Sequence, residues 1–166
     1  MAFESCIYGY IAEACQNPSG AATPFDEEVL ALKAHNESVL NALPVLDDWP
    51  PLSRHMFGWA PASENVITYG RRPLHFAAGL KEVDWEIGEW LDKFEDLLRR
   101  LYWDRVVLHI EFGQALPRSM TWTTKPGYVH LFKGGLPPVL EWDIETSMSP
   151  EELNYRWPTR GAKKSE

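Results

Sequence analysis

Two cysteines, no run of about 18 apolar residues and no glycine-rich phosphate motif are what this chain of 166 residues conspicuously withholds. Cys6 and Cys15 lie nine positions apart, and one bridge is not a disulfide framework. They read as free, buried thiols that pack as small hydrophobes. Without a long apolar run nothing is expected to span a bilayer. The opening Met1-Ala2-Phe3-Glu4-Ser5 carries no basic residue, and Glu13 interrupts the apolar stretch that follows, so no secretory signal is read there. The expectation is a cytoplasmic protein in a reducing compartment. Bases are also scarce, 16 Lys and Arg against 24 Asp and Glu, for a net charge of −8. Such a surface repels phosphate backbones, which excludes nucleic acid as a partner and leaves a basic protein or plain solubility as its use.

Catalytic signatures are missing as well. Among the five histidines (His35, His55, His75, His109, His130) no pair has the i, i+4 spacing of a helical metal site, and no metal is expected. His109-Ile110-Glu111 has the H-x-E form of zinc deaminases, but no P-C-x-x-C follows it. No dinucleotide fingerprint, P-loop or G-x-S-x-G elbow is present, so no cofactor is expected. Neither cysteine stands at a spacing that makes a nucleophile with His109. On a strand, His109 and Glu111 would share one face. That permits a site at the sheet end, and a small enzyme or ligand-binding domain built there is the alternative reading; a structural histidine is the plainer one.

What is present is a core. Apolar residues make up 45% of the chain and aromatic residues 13%, with eight tryptophans, a composition foreign to disordered chains. A chain of this size buries about 70% of its unfolded surface. One α+β domain over 1–157 is expected, with a disordered basic tail at 158–166.

The pattern predicts a strand over about 4–14, a turn at Asn17-Pro18-Ser19-Gly20, and a helix from Thr23 (cap) and Pro24 to Pro44. Strands follow at His55–Trp59, Asn65–Tyr69 and Leu74–Ala78, the last an edge or a break because of Pro73. The clearest element is a helix from about Asp84 to Tyr102. Ile87, Leu91, Phe94, Leu98 and Leu101 form its apolar stripe, widened by Trp90 and Leu97. Glu89–Lys93, Glu95–Arg99 and Asp96–Arg100 pair four apart on what reads as a solvated face. Arg105–Phe112 predicts a central strand. Met120–Thr124 and Tyr128–Phe132 flank Lys125-Pro126-Gly127 as a hairpin, Val139–Ile144 a last strand, and Ser149-Pro150-Glu151-Glu152 the start of a short helix. The fold class is α+β: a mostly antiparallel sheet with two main helices on one face, a ferredoxin-like β-α-β-β-α-β core plus a C-terminal hairpin extension.

Two acid-flanked tryptophans carry the functional reading. Asp47, Asp48 and Trp49 precede Pro50-Pro51, so a large ring is held beside two carboxylates. Glu141, Trp142, Asp143 and Glu145 alternate acid with apolar, which places the acids on one strand face. Rigid aromatic anchors ringed by charge suit a basic protein partner. The competing reading is that Trp49 and Trp142 plug the ends of the core.

An opening strand with aromatics around glycine (Tyr8-Gly9-Tyr10), a Trp-bearing amphipathic helix ending Phe94-Glu95-Asp96-Leu97-Leu98, and a Val-Leu-His-Ile-Glu strand together resemble bacterial toxin-immunity proteins. The resemblance spans about residues 3–145 and carries no diagnostic motif. It implies a stoichiometric cytoplasmic inhibitor, not an enzyme, that occludes the active site of a cognate toxin of interbacterial competition. Many such toxins are basic nucleases or deaminases, which suits the net charge.

Overall fold

Alternation along the first strand sets the two sides of the sheet. The computed structural model describes residues 4–14, 27–59, 73–81, 83, 85–113, 115–125 and 141–162. In β1 (Glu4–Glu13) Ser5, Ile7, Ile11 and Glu13 are buried, while Cys6 and Tyr8 face outward. In β4 (Trp103–Phe112) Val106, Leu108, Ile110 and Phe112 turn to the same inner side. β3 (Pro73–Lys81) adds Leu74, Phe76 and Leu80, and β5 (Arg118–Thr124) adds Met120 and Trp122. With β2 (Phe57–Trp59) and β6 (Trp142–Thr146) these make one six-stranded sheet.

The order is β2-β3-β1-β4-β5-β6, with every neighbouring pair antiparallel. The first six elements run β-α-β-β-α-β, and β1 lies between β3 and β4. Each of the two long helices therefore joins strands separated by one intervening strand. The mostly antiparallel α+β class expected from the sequence is found.

The inner face carries the helices α1 (Glu27–Asn41), α2 (Ile87–Leu98) and α3 (Pro150–Arg156). α2 is the ridge of the core. Ile87, Trp90, Leu91, Phe94, Leu97 and Leu98 are all fully buried. Phe94 sits at the centre, with ring centroids 5.1 Å from Phe76, 5.0 Å from Trp90 and 5.7 Å from Trp122. Gly9 leaves the room this needs. A Cβ there would lie 1.9 Å from the Val107 carbonyl oxygen and 2.8 Å from the Phe76 ring.

α1 is less apolar and, besides Leu40 in the core, is anchored by a buried amide. Asn36 is buried; its Nδ2 donates to Glu13 Oε1 at 3.2 Å and to the Tyr102 carbonyl at 3.0 Å. Its Oδ1 accepts from the Tyr102 N–H at 2.9 Å, so the side chain behaves as a rung of sheet toward residue 102. α3 starts as its sequence says: Ser149 Oγ accepts from the Glu152 N–H at 3.1 Å, with Pro150 in the first turn.

Several expectations are corrected. β3 is longer than Leu74–Ala78 and is interior; Pro73 is tolerated because it is the first residue, opposite Ala12, where the ladder does not need its N–H. His55 belongs to a 3-10 turn, Arg54–Met56, and the strand starts only at Phe57. The long helix spans 87–98, not 84–102. Its C-terminal end is closed by Trp103, whose indole donates to the Leu98 carbonyl at 2.8 Å. The strand paired with β5 is Trp142–Thr146; the other half of the expected hairpin, Tyr128–Phe132, lies outside the described residues. So do Asn65–Tyr69, the Thr23 and Pro24 cap and Cys15. Cys6 is exposed, not buried. The tail is ordered further than expected: Thr159–Ala162 forms a short helix, α4, and Thr159 donates to Asp92 at 2.7 Å. No helix among the described residues is long and apolar enough to cross a membrane.

Candidate partner-binding face

The loop that follows α1 is tied to α2 by one ammonium group. Lys93 Nζ donates to Asp47 Oδ2 at 2.8 Å, to the Asp48 carbonyl at 2.8 Å and to the Pro50 carbonyl at 3.0 Å, which uses all three of its protons. Asp47 Oδ2 also accepts from the Leu52 N–H at 2.9 Å, and the Trp90 indole donates to the Pro51 carbonyl at 3.1 Å. Burial alone would raise the Asp47 carboxyl. The hydrogen bonds from Lys93 and Leu52 outweigh that and hold it below the ordinary carboxylate value. Asp47 is thus a structural member of the loop. Asp48 is exposed, and so is what the loop displays: Val45 at 58%, Leu46 at 90% and Trp49 at 50% of full exposure.

The second acid-tryptophan group is built the other way round. Glu141, Asp143 and Glu145 are exposed, as the alternation requires, and Glu141 lies 3.5 Å from Lys125. Trp142 turns inward. Its ring lies 5.7 Å from Trp103, and its indole donates to Glu95 Oε1 at 3.2 Å. The indole of fully buried Trp122 donates to the same oxygen at 2.9 Å. Glu95 is only 5% exposed, so this part of the expected solvated face is interior. Arg99 closes the group, 3.4 Å from Glu95 and 5.1 Å above the Trp142 ring, and also pairs with Asp96 at 2.7 Å.

These two groups do not form one surface. Asp143 lies opposite Thr123 and Glu145 opposite Thr121, on the face of the sheet away from the helices. The Trp49 loop packs on the helix layer. Trp142 plugs the core, while Trp49 does not.

His109 and Glu111 do share the open face, and Tyr8 joins them. The Tyr8 hydroxyl donates to Glu111 Oε1 at 2.9 Å, and its ring lies 5.2 Å from His109. That hydrogen bond, with lesser burial and charge effects, raises the tyrosine above its usual value, so at neutral pH it stays a donor. Exposed Cys6 stands opposite Glu111 in the register. One hydrogen bond, from Tyr8 to Glu111, and one ring contact, between Tyr8 and His109, link the group. Among the described residues no three of His, Cys, Asp and Glu gather as a metal site.

One exposed aromatic pair escaped the sequence reading. Trp85 and Tyr155 are 76% and 65% exposed and meet edge to face, with centroids 6.0 Å apart. Asp84-Trp85-Glu86 is a third acid-flanked tryptophan. Its place at the head of a strongly periodic helix made it look like helix. Comparison of the chain with family models, with curated proteins and with solved structures finds no match.

Proposed function

We propose that this chain is an immunity-type protein that binds a cognate bacterial toxin, a basic nuclease or deaminase domain, and neutralises it by occluding its active site. The chain then works by binding, in the cytoplasm, and not by catalysis. One observation carries the reading: Val45, Leu46 and Trp49 stand exposed on a loop that Lys93 holds rigid with three hydrogen bonds. Apolar side chains displayed on a pre-ordered support lose little entropy when a partner covers them. Tryptophan is the residue most enriched among binding hot spots. Around the loop the chain is acidic, with eight acids against Lys33 alone over residues 1–52, which would steer a basic partner. The β-α-β-β-α-β order with β1 between β3 and β4 supports reading the scaffold as a ferredoxin-like core.

The test is titration calorimetry against proteins encoded beside this one, at low and high salt. A dissociation constant of about 10 nM or tighter is expected for one of them, weakening as the Debye length shrinks from ~10 Å at 0.1 M salt. Trp49→Ala should weaken it at least about tenfold, while Trp142→Phe, an inward residue, should not. If every such protein binds more weakly than about 1 μM, the inhibitor reading is wrong.

A further inference from the structure

A strand has two hydrogen-bonding sides, and β6 uses one of them. It stands at the end of the sheet order, paired with β5. The Ser147 N–H donates to the Ser119 carbonyl at 3.0 Å, one step beyond the Met120–Thr146 rung of the register. Counting back by two, Glu145 and Asp143 also turn their backbone groups to β5, opposite Thr121 and Thr123. Trp142, Ile144 and Thr146 therefore turn theirs the other way. Among the described residues, no backbone partner meets the N–H and C=O groups of these three.

The side chains beside that edge are of two kinds. Asp143 and Glu145 stand exposed on the open face and have no ion pair among the described residues. Glu141, just before them, lies 3.5 Å from Lys125. Trp142 and Ile144 lie on the inner face, partly buried against the core. An unpaired edge is a template for another strand, and the charges decide which one. A second copy of β6 is the wrong one. Laid antiparallel with Ile144 on the two-fold axis, it would set Asp143 opposite Glu145, and like charges directly opposite repel. The acids thus shut out self-pairing while leaving the edge open to a strand of the opposite sign.

We propose that β6 is a docking edge for an extended segment of a protein partner in which cationic and apolar residues alternate. The segment adds antiparallel to β6, and its backbone continues the ladder through Trp142, Ile144 and Thr146. Its cationic side chains fall on the open face beside Asp143 and Glu145, at cross-strand distances of about 5 Å. Its apolar side chains fall on the inner face and cover what Trp142 and Ile144 leave exposed. The edge is ordered in advance: Glu95 holds the Trp142 indole at 3.2 Å, and Arg99 lies 5.1 Å above the ring. The proposal stands on this edge alone and holds whether or not the Trp49 loop meets a toxin.

The experiment is amide hydrogen exchange of the full-length protein, read by nuclear magnetic resonance. The probe is the peptide acetyl-Gly-Arg-Val-Arg-Val-Arg-Gly-amide. In the free protein the amides of Trp142, Ile144 and Thr146 should exchange fast, and those of Asp143 and Glu145 slowly. The peptide should slow the first three at least about tenfold, with half-saturation at about 1 mM or below. The same peptide with glutamate for arginine should not bind measurably. The arginine peptide methylated at both valine nitrogens keeps its charge but cannot donate to the edge, and should give no protection. Asp143→Asn combined with Glu145→Gln should weaken the arginine peptide roughly threefold to tenfold, with the remaining spectrum unchanged because both residues are exposed. Trp49→Ala should leave this titration untouched, which separates its outcome from that of the inhibitor test. Equal binding of the glutamate or the methylated peptide, indifference to the double variant, or no protection at about 10 mM arginine peptide would each overturn the proposal.

Discussion

Replacing Glu95 by alanine removes the one acceptor shared by the indoles of Trp122 and Trp142. Trp122 is fully buried, so its N–H finds no water when the 2.9 Å bond to Glu95 is gone. Trp142 is half-buried and recovers part of its 3.2 Å bond from solvent. A stranded donor costs about 1–3 kcal/mol, the upper end for bonds to a charged acceptor. Taking the upper half of that range for Trp122 and the lower half for Trp142 gives about 3–5 kcal/mol. Arg99 adds little, because Asp96 remains 2.7 Å away. Against a typical stability of about 5–15 kcal/mol the variant still folds, but marginally. Glu95→Gln keeps one acceptor oxygen and should lose only about 1 kcal/mol. Urea unfolding followed by tryptophan fluorescence reads both values, provided the slope stays that of the parent protein. In a double-mutant cycle, Trp122→Phe should cost less once residue 95 is alanine. A loss below about 1 kcal/mol for Glu95→Ala at unchanged slope would refute the idea that this carboxylate holds the core together.

Other consequences are as direct. Asn36→Ala strands the Tyr102 N–H and takes a donor from Glu13, and should lower stability by about 2 kcal/mol in the same urea assay. Gly9→Ala drives a Cβ to 1.9 Å from the Val107 carbonyl oxygen; the strands must part, with a loss of about 3 kcal/mol or a failure to accumulate folded protein. The Asp47 carboxyl is held below its ordinary value, so its stabilising contribution is complete above the unfolded value of about 4 and fades as pH falls through the lower folded one. Thermal melts between pH 5 and 2 should therefore show a steeper acid decline for the parent than for Asp47→Asn.

Local patterns reached the parts of this molecule that local patterns govern. Ile7 and Ile11 inside, Val106 to Phe112 inside, the α2 stripe and the Ser149 cap all follow from periods of two and 3.6 and from cap chemistry within four residues. The same alternation already placed Cys6 outward, since it falls between Ser5 and Ile7; reading the cysteine by its average burial hid this. Glu95 was misjudged because Arg99 stands four residues on, whereas Trp122 and Trp142, 27 and 47 residues away, decide its place. Lys93 likewise prefers Asp47, 46 residues upstream, to nearby Glu89, because the folded loop offers two carbonyls as well. Of the candidate site, the exposure of Trp49, Asp48 and the 141–145 acids was legible. The same alternation puts Trp142 with Ile144 on the side opposite the acids; what no short stretch of sequence encodes is that Glu95, 47 residues away, accepts its indole N–H.

The place of β1 in the sheet has a kinetic consequence. Its neighbours on either side are β3 and β4, so Ile7 lies opposite Ala78 and also opposite Ile110, about 70 and 100 residues further along the chain. Neither ladder can close early, because loops of that length must be gathered before any rung forms. On a ribosome adding about 5–20 residues per second, the first strand waits many seconds with both flanks open, longer than most elementary folding events take. The sheet is thus completed around its earliest-made strand by its later ones. Refolding from denaturant should be slow for so small a protein, with β1 and β4 protected from hydrogen exchange together.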